Sequence, residues 1–218
     1  GIKLHAAIDV QIHGNHIHHC TLGTWLDWQA QGTRVSKNLY HDNDRDLMVE
    51  VTHGPYLVDN NIFASSYNFD NVAQGGAYVH NLCLGIMRRE DVLLRSTPYH
   101  FPHSTQVAGT TVVYGGDDRF YQNIFVGGTS FDQTNGSCGT NSYNGSPSSL
   151  EEYEQKVIAL GNGDVEQFME VKQPVYAKGN VYLYGAGVYE KECCCYVSHE
   201  NPLAVLKEEQ DGMYLEMN

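Results

Sequence analysis

An asparagine recurs along this chain at a nearly constant interval, each time ahead of apolar residues: Asn15 in GNHI, Asn38 in KNLY, Asn61 in NNIF and Asn81 in HNLC. The intervals are 23, 23 and 20 residues. Self-similarity at about 20–25 residues marks a solenoid whose repeats are single supersecondary units. These units carry no helical periodicity. They are short β-rich runs (TRVSKNLYHD, DLMVEV, YLVDNNIFA, AYVHNLCLG) divided by Gly, Asn and Asp. That pattern predicts an all-β fold, a parallel β-helix. In such a coil, residues one period apart stack on adjacent parallel strands about 4.8 Å apart.

Two carboxylates obey the same period. Asp27 in GTWLDWQAQG follows Asn15 by 12 residues, and Glu50 in RDLMVEVTHGP follows Asn38 by 12. Equal phase on neighbouring rungs places one carboxyl group above the other. Retaining glycosidases need two carboxyl groups about 5–5.5 Å apart, and inverting enzymes need roughly 6.5–9.5 Å. One rung step supplies the shorter distance. The next rung carries Ala73 at the equivalent phase, so the expected stack is two acids deep. Solvated surface charge is the plain alternative, although like charges on adjacent strands destabilise a sheet.

The segment WLDWQAQGTRVSKNLYHDNDRDLMVEVTHGPYLVDNNIF resembles the catalytic region of glycoside hydrolase family 120. The LDWQAQG and HGPYLVDNN blocks and the length between them carry the likeness. It is specific through Asn81 and continues more loosely through TPYHFPHST, GGDDRFYQNIFVGG and AKGNVYLYGA to about residue 190. The resemblance implies a right-handed parallel β-helix of the pectate-lyase-like kind. It also implies a β-xylosidase releasing xylose from xylo-oligosaccharides, with Asp27 as nucleophile, Glu50 as general acid/base and no cofactor. In that double displacement Asp27 forms a glycosyl-enzyme while Glu50 protonates the leaving oxygen. Ionised Asp27 disfavours charge on Glu50. Once Asp27 is esterified that repulsion vanishes, and Glu50 can act as base toward water.

The formal net charge is −13 and the isoelectric point is near 5.1. Both disfavour nucleic acid and anionic membranes as partners, and anionic polysaccharides such as pectate more mildly. No apolar run reaches the roughly 20 residues that span a bilayer, and no signal-like segment opens the sequence. Six cysteines, three of them consecutive, make a poor disulfide framework and favour a cytoplasmic location, with secretion left open. Whether copies associate as a homo-oligomer is also open. The opening GIKLHAAI reads as mid-strand rather than a cap, so residues 1–218 are expected to form a single domain cut from a longer protein.

Along the chain, residues 5–90 accommodate about four rungs. Residues 90–125 are expected to hold one or two more, with a Pro/His-rich excursion at STPYHFPHST; Asn123 follows Asn81 by 42 residues, which suits two rungs. From 127 to 173 the register breaks, and SPSSLEEYEQKVIALG predicts a short helical insertion near 148–160. A last rung is expected around Asn180, followed by less regular terminal strands.

Several polar groups near the acids have competing readings. The asparagines are structural, suited to left-handed corners and to amide ladders. Trp25 shares a strand face with Asp27, whereas Trp28 points oppositely; one should pack inward and the other wall the sugar. His53 is the preferred histidine near the site. His16, His18 and His19 invite a metal reading, but no Cys or acid completes a set at ligand spacing, so no metal is expected. Asp42, Asp44 and Asp46 lack the glycine and distal glutamate of a calcium loop, which leaves a turn with Arg45 as counter-charge. Gln29, Asn43 or Arg45 could bond sugar hydroxyls. The rivals are a β-helix lyase or other uronan-acting enzyme, weakened by having only Arg34 and Arg45 near the acids, and a non-catalytic solenoid.

Overall fold

Residues 1–129 and 136–218 are described in the computed structural model of the chain. Its strands come in triplets: β1 (Ile2–His5), β2 (Gln11–His13) and β3 (His16–His18), then β4 (Thr24–Asp27), β5 (Arg34–Ser36) and β6 (Leu39–His41). The third triplet is β7 (Leu47–Glu50), β8 (Tyr56–Asp59) and β9 (Ile62–Phe63), and the fourth β10 (Tyr67–Val72), β11 (Gly76–Val79) and β12 (Leu82–Cys83). Each strand pairs in parallel with its counterpart one triplet away. The first sheet runs β1-β4-β7-β10-β13, where β13 is Ile86–Arg89. The second and third sheets collect the middle and last strands of the triplets. The chain is thus mostly β with parallel sheets, consistent with a β-helix.

Between residues 90 and 125 the excursion is present, and only the two-rung reading of the interval needs correcting. β14 (Val92–His100) and β15 (Val107–Val113) form an antiparallel hairpin. Only one pair of body strands follows, β16 (Arg119–Tyr121) on β11 and β17 (Ile124–Val126) on β12. The 42-residue interval is therefore one rung plus an excursion. Beyond the break lie α1 (Leu150–Leu160) and a second helix that the sequence reading missed, α2 (Asp164–Glu170). Ser149 caps α1 by accepting from the Glu152 amide at 3.1 Å, the expected use of a serine there. β18 (Tyr176–Lys178) and β19 (Val181–Leu183) rejoin the second and third sheets around Asn180. β20 (Tyr196–Ser198) extends the third sheet, and β21 (Val205–Glu209) and β22 (Gly212–Glu216) make a terminal antiparallel hairpin.

Inward residues stack by the same period. Tyr40 lies on Phe63 with ring centroids 4.9 Å apart, Tyr78 on Phe120 at 4.8 Å and Phe125 on Tyr182 at 5.3 Å. All six are buried, and offset aromatic pairs add to their area burial. Beside them runs the asparagine ladder. In each of Asn15, Asn38, Asn61, Asn81 and Asn123, the backbone and side-chain amides donate to the next side-chain oxygen at 2.8–3.0 Å. Asn180 ends the series on Glu192 Oε1. The left-handed corner falls on the residue before each asparagine: Gly14, Lys37, Asn60, His80, Gln122 and Gly179. The ladder asparagines are thus chosen for hydrogen bonding rather than for backbone tolerance.

Candidate active site

The acid pair sits where parallel strands end together. β4 and β7 align Asp27 with Glu50, and β1 places His5 in the same row. Alternation along the strands turns Leu26 and Val49 into the core and leaves Trp25, Asp27, Met48 and Glu50 on the outer face. The residue after each member of the row has a left-handed backbone: Ala6, Trp28 and Val51. For β-branched Val51 this is an uncommon conformation, and such strain tends to collect at functional sites. Above Glu50 the row continues to Val72, not Ala73. The link from β9 to β10 is one residue shorter than that from β6 to β7, because Leu39 pairs with Ile62 while Leu47 pairs with Phe69. The stack remains two acids deep.

Cations offset the like charges. Lys3 Nζ lies 2.9 Å from Asp27 Oδ2, and His5 Nδ1 lies 3.0 Å from the same oxygen. Burial pushes the Asp27 carboxyl up, but hydrogen bonds from Lys3 and His5 and their charges outweigh it and hold the group below its ordinary value. Lys3 Nζ also sits 3.5 Å from the centre of the Trp25 ring, a cation–π position. On the other acid, Arg95 Nη2 of β14 lies 3.3 Å from Glu50 Oε1, with its guanidinium 5.8 Å from the Trp28 ring centre. None of Lys3, His5 or Arg95 was singled out from sequence. His5 precedes Asp27 by 22 residues, one short of the 23 that separate Asp27 from Glu50, so the period carried upstream points to Leu4 instead. The antiparallel hairpin bearing Arg95 obeys no period.

The β14–β15 hairpin walls the site on one side and is tied down at several points. His53 accepts from Gln74 Nε2 through Nδ1 at 3.1 Å and donates from Nε2 to Thr97 Oγ1 at 2.9 Å. This pattern belongs to a neutral ring, and burial lowers its proton affinity further. Gln31 Nε2 donates to the His100 carbonyl, and the Tyr114 amide donates to Gln74 Oε1. His53 thus holds the wall carrying Arg95 and does not bond either acid.

Other expectations change. Trp28 does not point into the core: the strand ends at Asp27, and the left-handed corner swings its ring onto His5, stacked at 6.1 Å. Both tryptophans are half-buried beside the acids. Asn43 is buried and committed to the corner. Its amide donates to the Ile17 carbonyl and Asp46 while its oxygen accepts from the Cys20 amide, so it leaves the sugar-binding set. Arg45 pairs with Asp70 at 2.6 Å rather than with the aspartate run, and it lies in the turn before β7, at the end of that strand opposite Glu50. Asp46 is buried and raised to about 6 by desolvation, which its bonds from Ser65, Asn43 and Asn68 oppose. Gln29 is half-buried at the corner after Asp27 and stays a candidate. Arg34, counted among the nearby bases, is bound to Asp59 on the second sheet; the bases near the acids are Lys3, His5 and Arg95.

No family model matches the sequence, and no curated protein matches it. A solved structure, described as the complex of XylC with xylose, is similar at a TM-score of 0.92 and 56% identity, covering 99% of this chain and 33% of that one. The chain therefore spans about a third of that solved chain. With that neighbour alongside its LDWQAQG and HGPYLVDNN blocks, the chain fits glycoside hydrolase family 120.

Proposed function

We propose that this chain carries the catalytic pair of a retaining β-xylosidase acting on xylo-oligosaccharides. The observation that carries the reading is the register of Asp27 with Glu50 on adjacent outward-facing strand ends, a step of about 4.8 Å that suits double displacement. Asp27, kept ionised by Lys3 and His5, attacks the anomeric carbon. Glu50 protonates the leaving oxygen and then takes a proton from the water that frees the sugar. Trp25, Trp28 and Gln29 line the sugar side, and Arg95 stands on the leaving-group side with Glu50. The similarity to a structure holding xylose supports the substrate class. In this reading the three sheets are the faces of one right-handed β-helix domain over 1–218, part of a longer enzyme. All six thiols are free, which supports a reducing, cytoplasmic setting. Among the described residues no helix is long and apolar enough to cross a membrane.

The uronan-lyase reading gains one observation, the cations Lys3 and Arg95 beside the acids, although both are engaged by carboxylates. Proton NMR of aryl β-xyloside hydrolysis by the full-length protein separates the cases. First-formed β-xylose supports retention. First-formed α-xylose, or unsaturated uronides from a uronan with no xylose from the xyloside, would overturn it.

A further inference from the structure

A second cluster of chemistry-bearing side chains lies on the outer face of the third sheet, apart from the acid pair. His18 and His41 are register partners on β3 and β6, and their rings are parallel to within 1° at 5.1 Å. The His16 ring lies 4.8 Å from that of His41. These rings line a cavity of about 350 Å³ whose far side is formed by the β21–β22 hairpin, including Glu208.

Two nitrogens converge there. His16 Nε2 and His41 Nε2 are 2.6 Å apart. On its other side, His41 Nδ1 meets Asp42 Oδ2 at 2.6 Å. That carboxylate fixes the ring proton on Nδ1 and leaves the Nε2 lone pair facing His16 and the cavity. A carboxylate behind one imidazole nitrogen, with the lone pair of the other facing outward, is the arrangement that orients metal-bound histidines; here that lone pair meets His16 Nε2. From sequence, the missing element was an acid to complete the set; the fold brings in Asp42 from the next corner and Glu208 from the terminal hairpin.

Among the described residues no three such donors already stand at ligand spacing. Zinc–nitrogen bonds of about 2.0–2.1 Å at tetrahedral angles separate two ligand nitrogens by about 3.3 Å, so the histidine pair must open by about 0.7 Å. The exposed His16 ring can do this by side-chain rotation. We propose that His16 and His41, completed by Glu208 and oriented by Asp42, bind one divalent transition-metal ion, tying the β21–β22 hairpin to the third sheet. Imidazole nitrogens select zinc, copper or nickel over calcium and magnesium.

Calorimetric titration of chelator-treated, tag-free protein with zinc chloride tests this. One ion per chain should bind, with no heat from magnesium chloride. His16→Ala and His41→Ala should each abolish binding, Asp42→Asn should weaken it roughly 10-fold or more, and His80→Ala, at a distant corner, should leave it unchanged. Zinc should raise the melting temperature of the parent protein but not of Glu208→Gln. Absence of zinc binding in the parent, or binding that survives loss of both His16 and His41, would overturn the site. An unaltered zinc response in Glu208→Gln would overturn the hairpin tie.

Discussion

The asparagine ladder and the acid pair are built by the same device, a side chain repeated once per rung, yet they meet opposite physical demands. The ladder is buried and neutral, and every amide finds its partner in the neighbour above or below. The acids face outward, repel each other and depend on groups from other places: Lys3 and His5 one rung away, and Arg95 on the hairpin. Stacking that is self-sufficient for amides is incomplete for carboxylates. What completes it is also what divides the labour between them. Asp27 is held below its ordinary value by its hydrogen bonds to Lys3 and His5; Glu50 faces a single guanidinium, that of Arg95.

The comparison breaks most sharply at Glu50. Glu50→Ala should cost roughly 10²–10⁴-fold in kcat/KM on substrates with poor leaving groups, measured in the full-length protein. An activated aryl xyloside should still form its glycosyl-enzyme, which then accumulates, and azide should restore turnover with a β-configured product. Uniform loss across leaving groups without azide rescue would remove Glu50 as acid/base.

The ladder should respond in stability alone. Asn61→Ala strands the two donors of Asn38 and removes the side-chain donor that Asn61 sends to Asn81, while the backbone amide of residue 61 stays. A buried group left unsatisfied costs about 1–3 kcal/mol, so urea denaturation should show a loss of at least that size. Activity per folded molecule should hold. A drop in kcat without a shift in the midpoint would contradict the division drawn above.

Much of this was legible because a strict period converts sequence distance into contact. Asn15 through Asn81 and the Asp27–Glu50 pair follow it directly. It failed wherever the chain left the period. The shortened link before β10 moved the next member of the row from Ala73 to Val72, and the hairpin disguised one rung as two. Trp28 was misdirected because strand alternation ends at a left-handed corner that no composition marks. Asn43 looked like a sugar donor because a polar corner residue and a ligand residue are alike until its bonds to the buried Asp46 and to the Cys20 amide are seen.

A finer effect is expected at Lys3. Lys3→Met removes one of the groups that depress Asp27, so the carboxyl should rise toward its ordinary value. A depressed carboxylate is fully ionised above its unfolded value and loses its stabilisation as pH falls through the folded one. The acidic limb of the kcat/KM profile should therefore move to higher pH in the variant, with modest change at neutral pH. An unmoved limb would mean that Lys3 does not set the charge of Asp27.

The central claim is that Asp27 becomes covalently bound to the sugar. A 2-fluoro-xyloside with a good leaving group slows both steps by destabilising their positively charged transition states, so the intermediate should persist long enough for peptide mapping. The account predicts one label, on the peptide containing Asp27, and none in Asp27→Ala. A label on another residue, or no label in protein that hydrolyses xylosides, would contradict it.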